Sequence, residues 1–551
     1  MLWLATTLLL QVTPAPPAAA PPRATPAPAP AQAPAQAPAG EAAPKKPAND
    51  AVRVLLPAAG RALLQDGRTG GRMLLFLLAE GSRDGRRPLD APFFDDPQPM
   101  YSVAVDRLAP DAPVVFGPDA VAFPCPLDEL EGRYRVQALF DRDDRGRGHV
   151  SAGNLVSGEQ VVEFRRGRAD AATLELNAAI PAETLPTAPN LRFFEMKSAL
   201  LSRAAGHDVF LRAGVALPPG WADPNHRRRM FPAIYVIPGF GGNHLGAAER
   251  ARMLATPGSE QVVPQAVWIV LDPDAPLGHH GFVDSAANGP RGKALIEELI
   301  PELERNFRLI ARADARIVTG HSSGGWSALW LQLTHPETFG ACFASSPDPV
   351  DFSAFQCSDL YRDPSLFSDA DGKEIPSFRT PLAERFEKVR MTVRQEAAME
   401  RVLGPARDSG EQWDAWAAMW SAVDPQTRLP RPMFDNLTGA IDHGVVENDW
   451  SRYDIARRLR ANPARDGRLM RERVRLLCGG ADNFYLDRAV ARLRGTMEEI
   501  AQQQAAAGTP LPSGSGYIEI VPDETHDAVA ASSMLRWQRE MRQYLAEKKL
   551  D

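Results

Sequence analysis

Residues 316–335 read RIVTGHSSGGWSALWLQLTH: a β-branched run, a glycine, two serines, two more glycines, then an apolar run of helix formers. Few structures admit that order. Gly320 and Gly324 flank Ser322 at minus two and plus two, and no other serine in the stretch has this spacing. A strand that bends straight into a helix leaves no room for side chains at the flanking positions, so glycine is used there. Such a turn lifts the middle hydroxyl clear of the sheet edge and aims the next backbone N–H at the point where negative charge develops. The N-terminus of the following helix adds favourable potential. Ser322 is therefore the expected nucleophile, and Ser323 is expected to act through its N–H. The competing reading is a glycine-rich turn without chemistry.

A nucleophile turn of this type is followed along the chain by an acid and then a histidine. The strand-like run VRLLCGG (474–480) leads into Ala481-Asp482-Asn483, which puts Asp482 just past a strand end, where an orienting carboxylate belongs. Asp487, by contrast, opens a helical run and is accounted for by capping. The run YIEIV (517–521) is followed by Asp523-Glu524-Thr525-His526-Asp527. His526, expected in the loop before a final helix over 528–548, is the one histidine downstream of Asp482. Its expected work is to take the Ser322 proton and pass it to a leaving alcohol. A second oxyanion donor is expected from Pro238-Gly239-Phe240-Gly241-Gly242-Asn243, with Phe240 the first candidate for the N–H and Gly241 the second; a tight turn alone is the alternative. His279 and His280 follow another strand end and either contact substrate or pack the loop. No His/Asp/Cys cluster has metal-ligand spacing, so a site without metal or cofactor is expected.

From about residue 190 strand and helix patterns alternate: AIYVIPG (233–239), AVWIVLD (266–272), a helical run over 292–307, then RIVTG, ACFAS (341–345), VRLLCGG and YIEIV. That alternation predicts a doubly wound, mostly parallel sheet of the α/β class. Two strand-like runs before it, 192–201 and 208–217, predict an opening hairpin. Between ACFAS and VRLLC lies an insertion, 351–465, of mostly helical composition. It follows the C-terminal end of a strand and so is expected to cap the ligand-binding edge. Trp413, Trp416 and Trp420 share one helix face there and are expected to pack it onto the domain. Residues 51–187 carry short strands (MLLFLL, YSVAV, RYRVQALF, QVVEF, TLELN) with Tyr134, Val136, Ala138 and Phe140 on one face. They predict a small antiparallel β-sandwich. The segment Asp141-Arg142-Asp143-Asp144-Arg145-Gly146 faintly resembles a calcium loop but lacks the closing Glu, and a solvated turn is expected.

A net charge of −7 over 551 residues gives no polyanion-binding signal, so no nucleic-acid partner is expected. Four cysteines do not make a disulfide framework; Cys342 and Cys478 lie in apolar runs and read as buried thiols, while Cys125 and Cys357 are either free or paired. The first twelve residues, MLWLATTLLLQV, are too short to span a bilayer and resemble the apolar part of a signal segment without its basic start. A Pro/Ala/Gln tract over 13–50 reads as an extended spacer. Together they lead to the expectation of a periplasmic or secreted protein.

On PGFGG (238–242), ELIPELERNFRL leading into RIVTGHSSGGWSALWLQLTHPETFG (298–340), CGGADNFYLDRAV (478–490) and THD (525–527), the chain resembles the Putative esterase family. That group holds enterochelin esterase, feruloyl esterases, esterase D and the mycobacterial mycolyltransferases. The resemblance covers about 190–551, and a β domain ahead of the hydrolase resembles the enterochelin esterase layout. It implies an α/β-hydrolase fold, acyl transfer to water, and Ser322, Asp482 and His526 as the triad. The large insertion departs from the simpler members and leaves the substrate open among carbohydrate, phenolic and siderophore-type esters. An acyltransferase, a serine peptidase and an inactive binding protein on the same scaffold are the other readings.

Overall fold

A twisted sheet of eight strands carries the site. Its strands are β1 (Leu191–Lys197), β2 (Phe210–Ala216), β3 (Ala233–Ile237), β4 (Val267–Leu271), β5 (Arg316–His321), β6 (Ala341–Ser345), β7 (Val474–Gly479) and β8 (Tyr517–Val521). They lie in the order β1-β2-β4-β3-β5-β6-β7-β8. The β1–β2 and β2–β4 pairs are antiparallel and all later pairs are parallel. This is the α/β-hydrolase type of sheet. Its central strands are buried on both faces and so read as unbroken apolar runs: Ile317 joins the cluster on one side and Val318 the cluster on the other.

Helix α1 (Ser323–Thr334) follows β5 without an intervening loop. The insertion contributes α2 (Val393–Leu403), α3 (Gln412–Trp420), two shorter helices and a β-hairpin pairing Pro376–Pro381 with Glu387–Thr392, so it is not purely helical. Trp413, Trp416 and Trp420 are buried in the main hydrophobic cluster, as is Trp450. After β7 comes α4 (Leu486–Ala506), and α5 (His526–Glu547) closes the fold. No helix of the described residues is long and apolar enough to cross a membrane.

Local chemistry redraws two boundaries. The run expected as a strand over 192–201 stops at Lys197. Ser198 accepts the Leu201 N–H through its side chain and starts a short helix, Ala199–Ala205, which Gly206 ends at φ +75°. Similarly, Thr525 accepts the Ala528 N–H and starts α5 at His526, so that histidine is the first helical residue and not a loop residue. The helical run over 292–307 continues as expected but passes through a π turn at Leu295–Leu299, just ahead of Pro301, whose ring nitrogen has no proton to donate.

The structure is a computed structural model that describes residues 52–550, apart from 65–66, 83–84, 111, 118, 143–147, 167, 170–171 and 383–386. The leader, the Pro/Ala tract and most of the Asp141–Gly146 turn lie outside the described residues. The described strands of the N-terminal region are hydrogen-bonded into a ten-stranded sheet, and one of its pairs, Val52–Leu55 with Thr173–Ala179, is parallel, so the region is not purely antiparallel. Tyr134, Val136, Ala138 and Phe140 do share a face, packed with Met73, Leu75 and Leu77. The opposite face of the same strand, Leu74, Phe76 and Leu78, packs on Met399, Val402 and Leu403 of α2. A strand covered on both faces has no reason to alternate, which explains the unbroken MLLFLL. The β region therefore shares a core with the insertion, and the described residues belong to one compact unit.

Candidate active site

The turn between β5 and α1 is as tight as its glycines imply. A Cβ on Gly320 would sit 2.1 Å from the Gly324 carbonyl oxygen, and one on Gly324 would sit 2.0 Å from the carbonyl oxygen of Ile237 on β3. Ser322 itself has φ +58° and ψ −129°, a conformation that a non-glycine residue adopts only under constraint. The constraint is backbone pairing on either side: the Ser322 N–H donates to Ser345 on β6, and its carbonyl accepts from Trp326.

His526 and Asp482 meet beside this turn. Nδ1 of His526 lies 2.7 Å from Oδ2 of Asp482, and the Asp482 side chain is fully buried. Its other oxygen accepts the Phe484 N–H at 2.9 Å. Burial disfavours the Asp482 carboxylate, yet the adjacent His526 and these donors outweigh it and hold the group below the usual carboxylate range. Burial likewise disfavours charge on the His526 ring, and Asp482 outweighs it, leaving His526 above its ordinary value. The acid loop is tied from outside by Arg379 of the insertion hairpin. Arg379 donates to the Asp482 carbonyl at 2.8 Å and pairs with Asp487 at 3.0 Å.

The loop after β3 comes up against the serine. A Cβ on Gly239 would lie 3.2 Å from Ser322 Cβ. Gly239 to Gly242 close a turn with Gly242 donating to Gly239, and Gly241 at its third position has φ +84°, which favours glycine. His279 and His280 are completely buried and neither lines the cavity beside Ser322. The contact with substrate entertained for them from the sequence gives way to a positioning role: His279 Nε2 donates to the Pro238 carbonyl at 3.0 Å and so holds the glycine loop.

Ser322, His526, Gly239 and Phe240 open onto a cavity of about 390 Å³. Several of its other walls were not singled out from the sequence. His321 stands beside Ser322 with its ring 4.3 Å from that of His526 and its Nδ1 3.0 Å from Ser345 Oγ. Burial, then the neighbouring His526, lowers it to about 3, so it stays neutral. Asp348 is buried, takes the Trp416 indole N–H at 2.7 Å, and is pushed by burial up to about 6. Trp416 is thus both packing and cavity wall. Phe94, from the N-terminal sheet region, reaches the same cavity. His321 was legible as the neighbour of Ser322; Asp348 and Phe94 carried no local signal. All four cysteines are free.

A comparison with curated proteins gives no match. Among solved structures, a ferulic acid esterase is 16% identical with a TM-score of 0.37, covering 64% of this chain and 98% of its own. An S-formylglutathione hydrolase from Agrobacterium tumefaciens is 17% identical with a TM-score of 0.33, covering 65% and 98%. A ferulic acid esterase from Anaeromyces mucronatus is 12% identical with a TM-score of 0.31, covering 66% and 97%. The family model described as Putative esterase matches residues 208–511, just over half of the 551 residues, from β2 to beyond α4. The chain belongs to the Putative esterase family.

Proposed function

We propose that this protein is a serine carboxylesterase working through Ser322, His526 and Asp482. The observation that carries the reading is the 2.7 Å contact of His526 with buried Asp482 at the cavity into which the constrained Ser322 turn opens. In the proposed reaction Ser322 Oγ attacks the ester carbonyl while His526 Nε2 takes its proton. The N–H groups of Ser323 and of Phe240, or alternatively Gly241, receive the negative oxygen. Collapse of the tetrahedral species breaks the bond to the alcohol, which leaves with the proton from His526. Water then attacks the acyl-serine, His526 again accepts a proton, and the acid and free Ser322 are restored. Asp482 keeps the proton on Nδ1 and stabilises the imidazolium. The insertion 351–465 acts as a cap that shapes the substrate, and the apolar leader with its Pro/Ala spacer favours export to the periplasm or beyond.

Labelling with a fluorophosphonate tests the assignment. Wild type is expected to label at Ser322 and to hydrolyse 4-nitrophenyl butyrate, and Ser322→Ala is expected to do neither. Labelling that survives Ser322→Ala would falsify it.

A further inference from the structure

Three polar side chains of the insertion, Gln356, Glu396 and Gln412, line the cavity. Gln356 and Glu396 are each only 4% exposed. Gln356 Oε1, Glu396 Oε2 and Gln412 Nε2 are all shielded from solvent and make no hydrogen bond among the described residues. Ser377 and Trp413 flank the Glu396 carboxyl and partly offset its burial, though no donor meets Oε2 in good hydrogen-bonding geometry. Buried polar atoms are nearly always paired, and three unpaired ones around a single space point to a ligand that pairs them. Gln356 also holds a φ of +53°, a constrained backbone of the kind found where a side chain is aimed at a ligand.

Charge narrows the class. Among the described residues the ionisable side chains lining the cavity are His321, Asp348, Glu396, His526 and Asp527, with no Lys or Arg, so nothing there offers a fixed positive charge to an anionic group. Burial pushes Glu396 up to about 7, so near neutral pH its carboxyl is partly protonated and can donate as well as accept. The two amides each offer a donor as well as an acceptor, and a cation leaves the donors idle. A hydroxyl can donate to Gln356 Oε1 while accepting from Gln412 Nε2 and from the protonated Glu396 carboxyl.

We infer that Gln356, Glu396 and Gln412 form a specificity subsite for an uncharged, hydroxyl-bearing group on the ester that Ser322 attacks. This rests on the esterase reading, so the experiment separates the two. Hydrolysis of 4-nitrophenyl butyrate and labelling at Ser322 test the parent reading alone. The subsite is tested with two matched series. One consists of 4-nitrophenyl esters of hexanoic, 6-hydroxyhexanoic, adipic and 6-(trimethylammonio)hexanoic acids. The other consists of butyrates of hexan-1-ol, hexane-1,6-diol, 6-hydroxyhexanoic acid and 6-(trimethylammonio)hexan-1-ol. In one series the hydroxyl member is expected to exceed its apolar counterpart in kcat/KM by about tenfold, the size of effect that one well-made hydrogen bond confers. The carboxylate member is expected to fall below the hydroxyl member by at least about as much. Gln356→Leu and Glu396→Leu should bring the hydroxyl-to-apolar ratio close to one, and Glu396→Gln should preserve it. A ratio of two rate constants on one preparation is insensitive to the fraction folded. A ratio near one in both series, a cationic or anionic member as the best substrate, or a ratio unchanged in both Leu variants overturns the inference while leaving the esterase reading intact.

Discussion

Phe94 meets the ring of Phe484 edge-on at 5.7 Å, and Phe484 in turn lies 5.0 Å from the ring of His526. A residue ahead of the hydrolase fold thus buttresses the wall next to the histidine of the candidate triad. Phe94→Ala removes that wall and the contact with Phe378 at 6.0 Å. The expected result is a rise in KM of roughly fivefold, from about 1 kcal/mol of lost apolar contact, with a smaller fall in kcat. Steady-state kinetics on 4-nitrophenyl butyrate read both constants. A fall in kcat alone would show that Phe94 acts on His526 and not on substrate.

The two serines of the turn are expected to separate. Ser323→Ala keeps the backbone N–H and should retain substantial activity. Ser323→Pro removes that N–H at the first position of α1, where helices tolerate proline, and should lower kcat by roughly 10²–10³. Circular dichroism distinguishes this from unfolding. Equal losses in Ser322→Ala and Ser323→Ala would contradict the assignment.

The glycines are expected to differ by environment. Gly324→Ala drives a methyl into the Ile237 carbonyl and should cost about 3 kcal/mol or more. Gly495, inside α4, has open space where its Cβ would be. Gly495→Ala should stabilise by about 0.5–1 kcal/mol. Thermal unfolding of the two variants should therefore shift in opposite directions.

In the proposed mechanism His526 works as a base only when neutral. Burial alone would lower its pKa, but Asp482 raises it above the ordinary value, so kcat/KM for a neutral ester should rise with pH through an inflection above that of a free imidazole and be lost as pH falls through it. Asp482→Asn removes the opposing carboxylate and leaves burial in charge. The inflection should move to lower pH while kcat falls by roughly 10³–10⁴. A pH–rate profile of both proteins checks the direction; an inflection that moves upward in Asp482→Asn would contradict it.

What could be read from residues alone was local. The glycine spacing around Ser322 follows from sterics within a few residues, and the strand runs of the central sheet follow from β-branched, apolar composition. The order of serine, acid and histidine is a property of the chain itself. The Ser198 cap was equally local, yet a strand-like flanking sequence obscured it. Other features depend on which distant surfaces meet. Nothing near Phe94, Asp348 or Gln356 marks them as cavity walls, because that role comes from residues remote in the chain. His279 and His280 look like loop residues until the fold covers them. MLLFLL reads as one strand of a separate sandwich until α2 closes over its second face. Backbone sterics and hydrogen-bonding pattern are set by neighbours in sequence, and these determined the turn and the sheet. Burial and electrostatic environment are set by neighbours in space, and only the tertiary structure decided those.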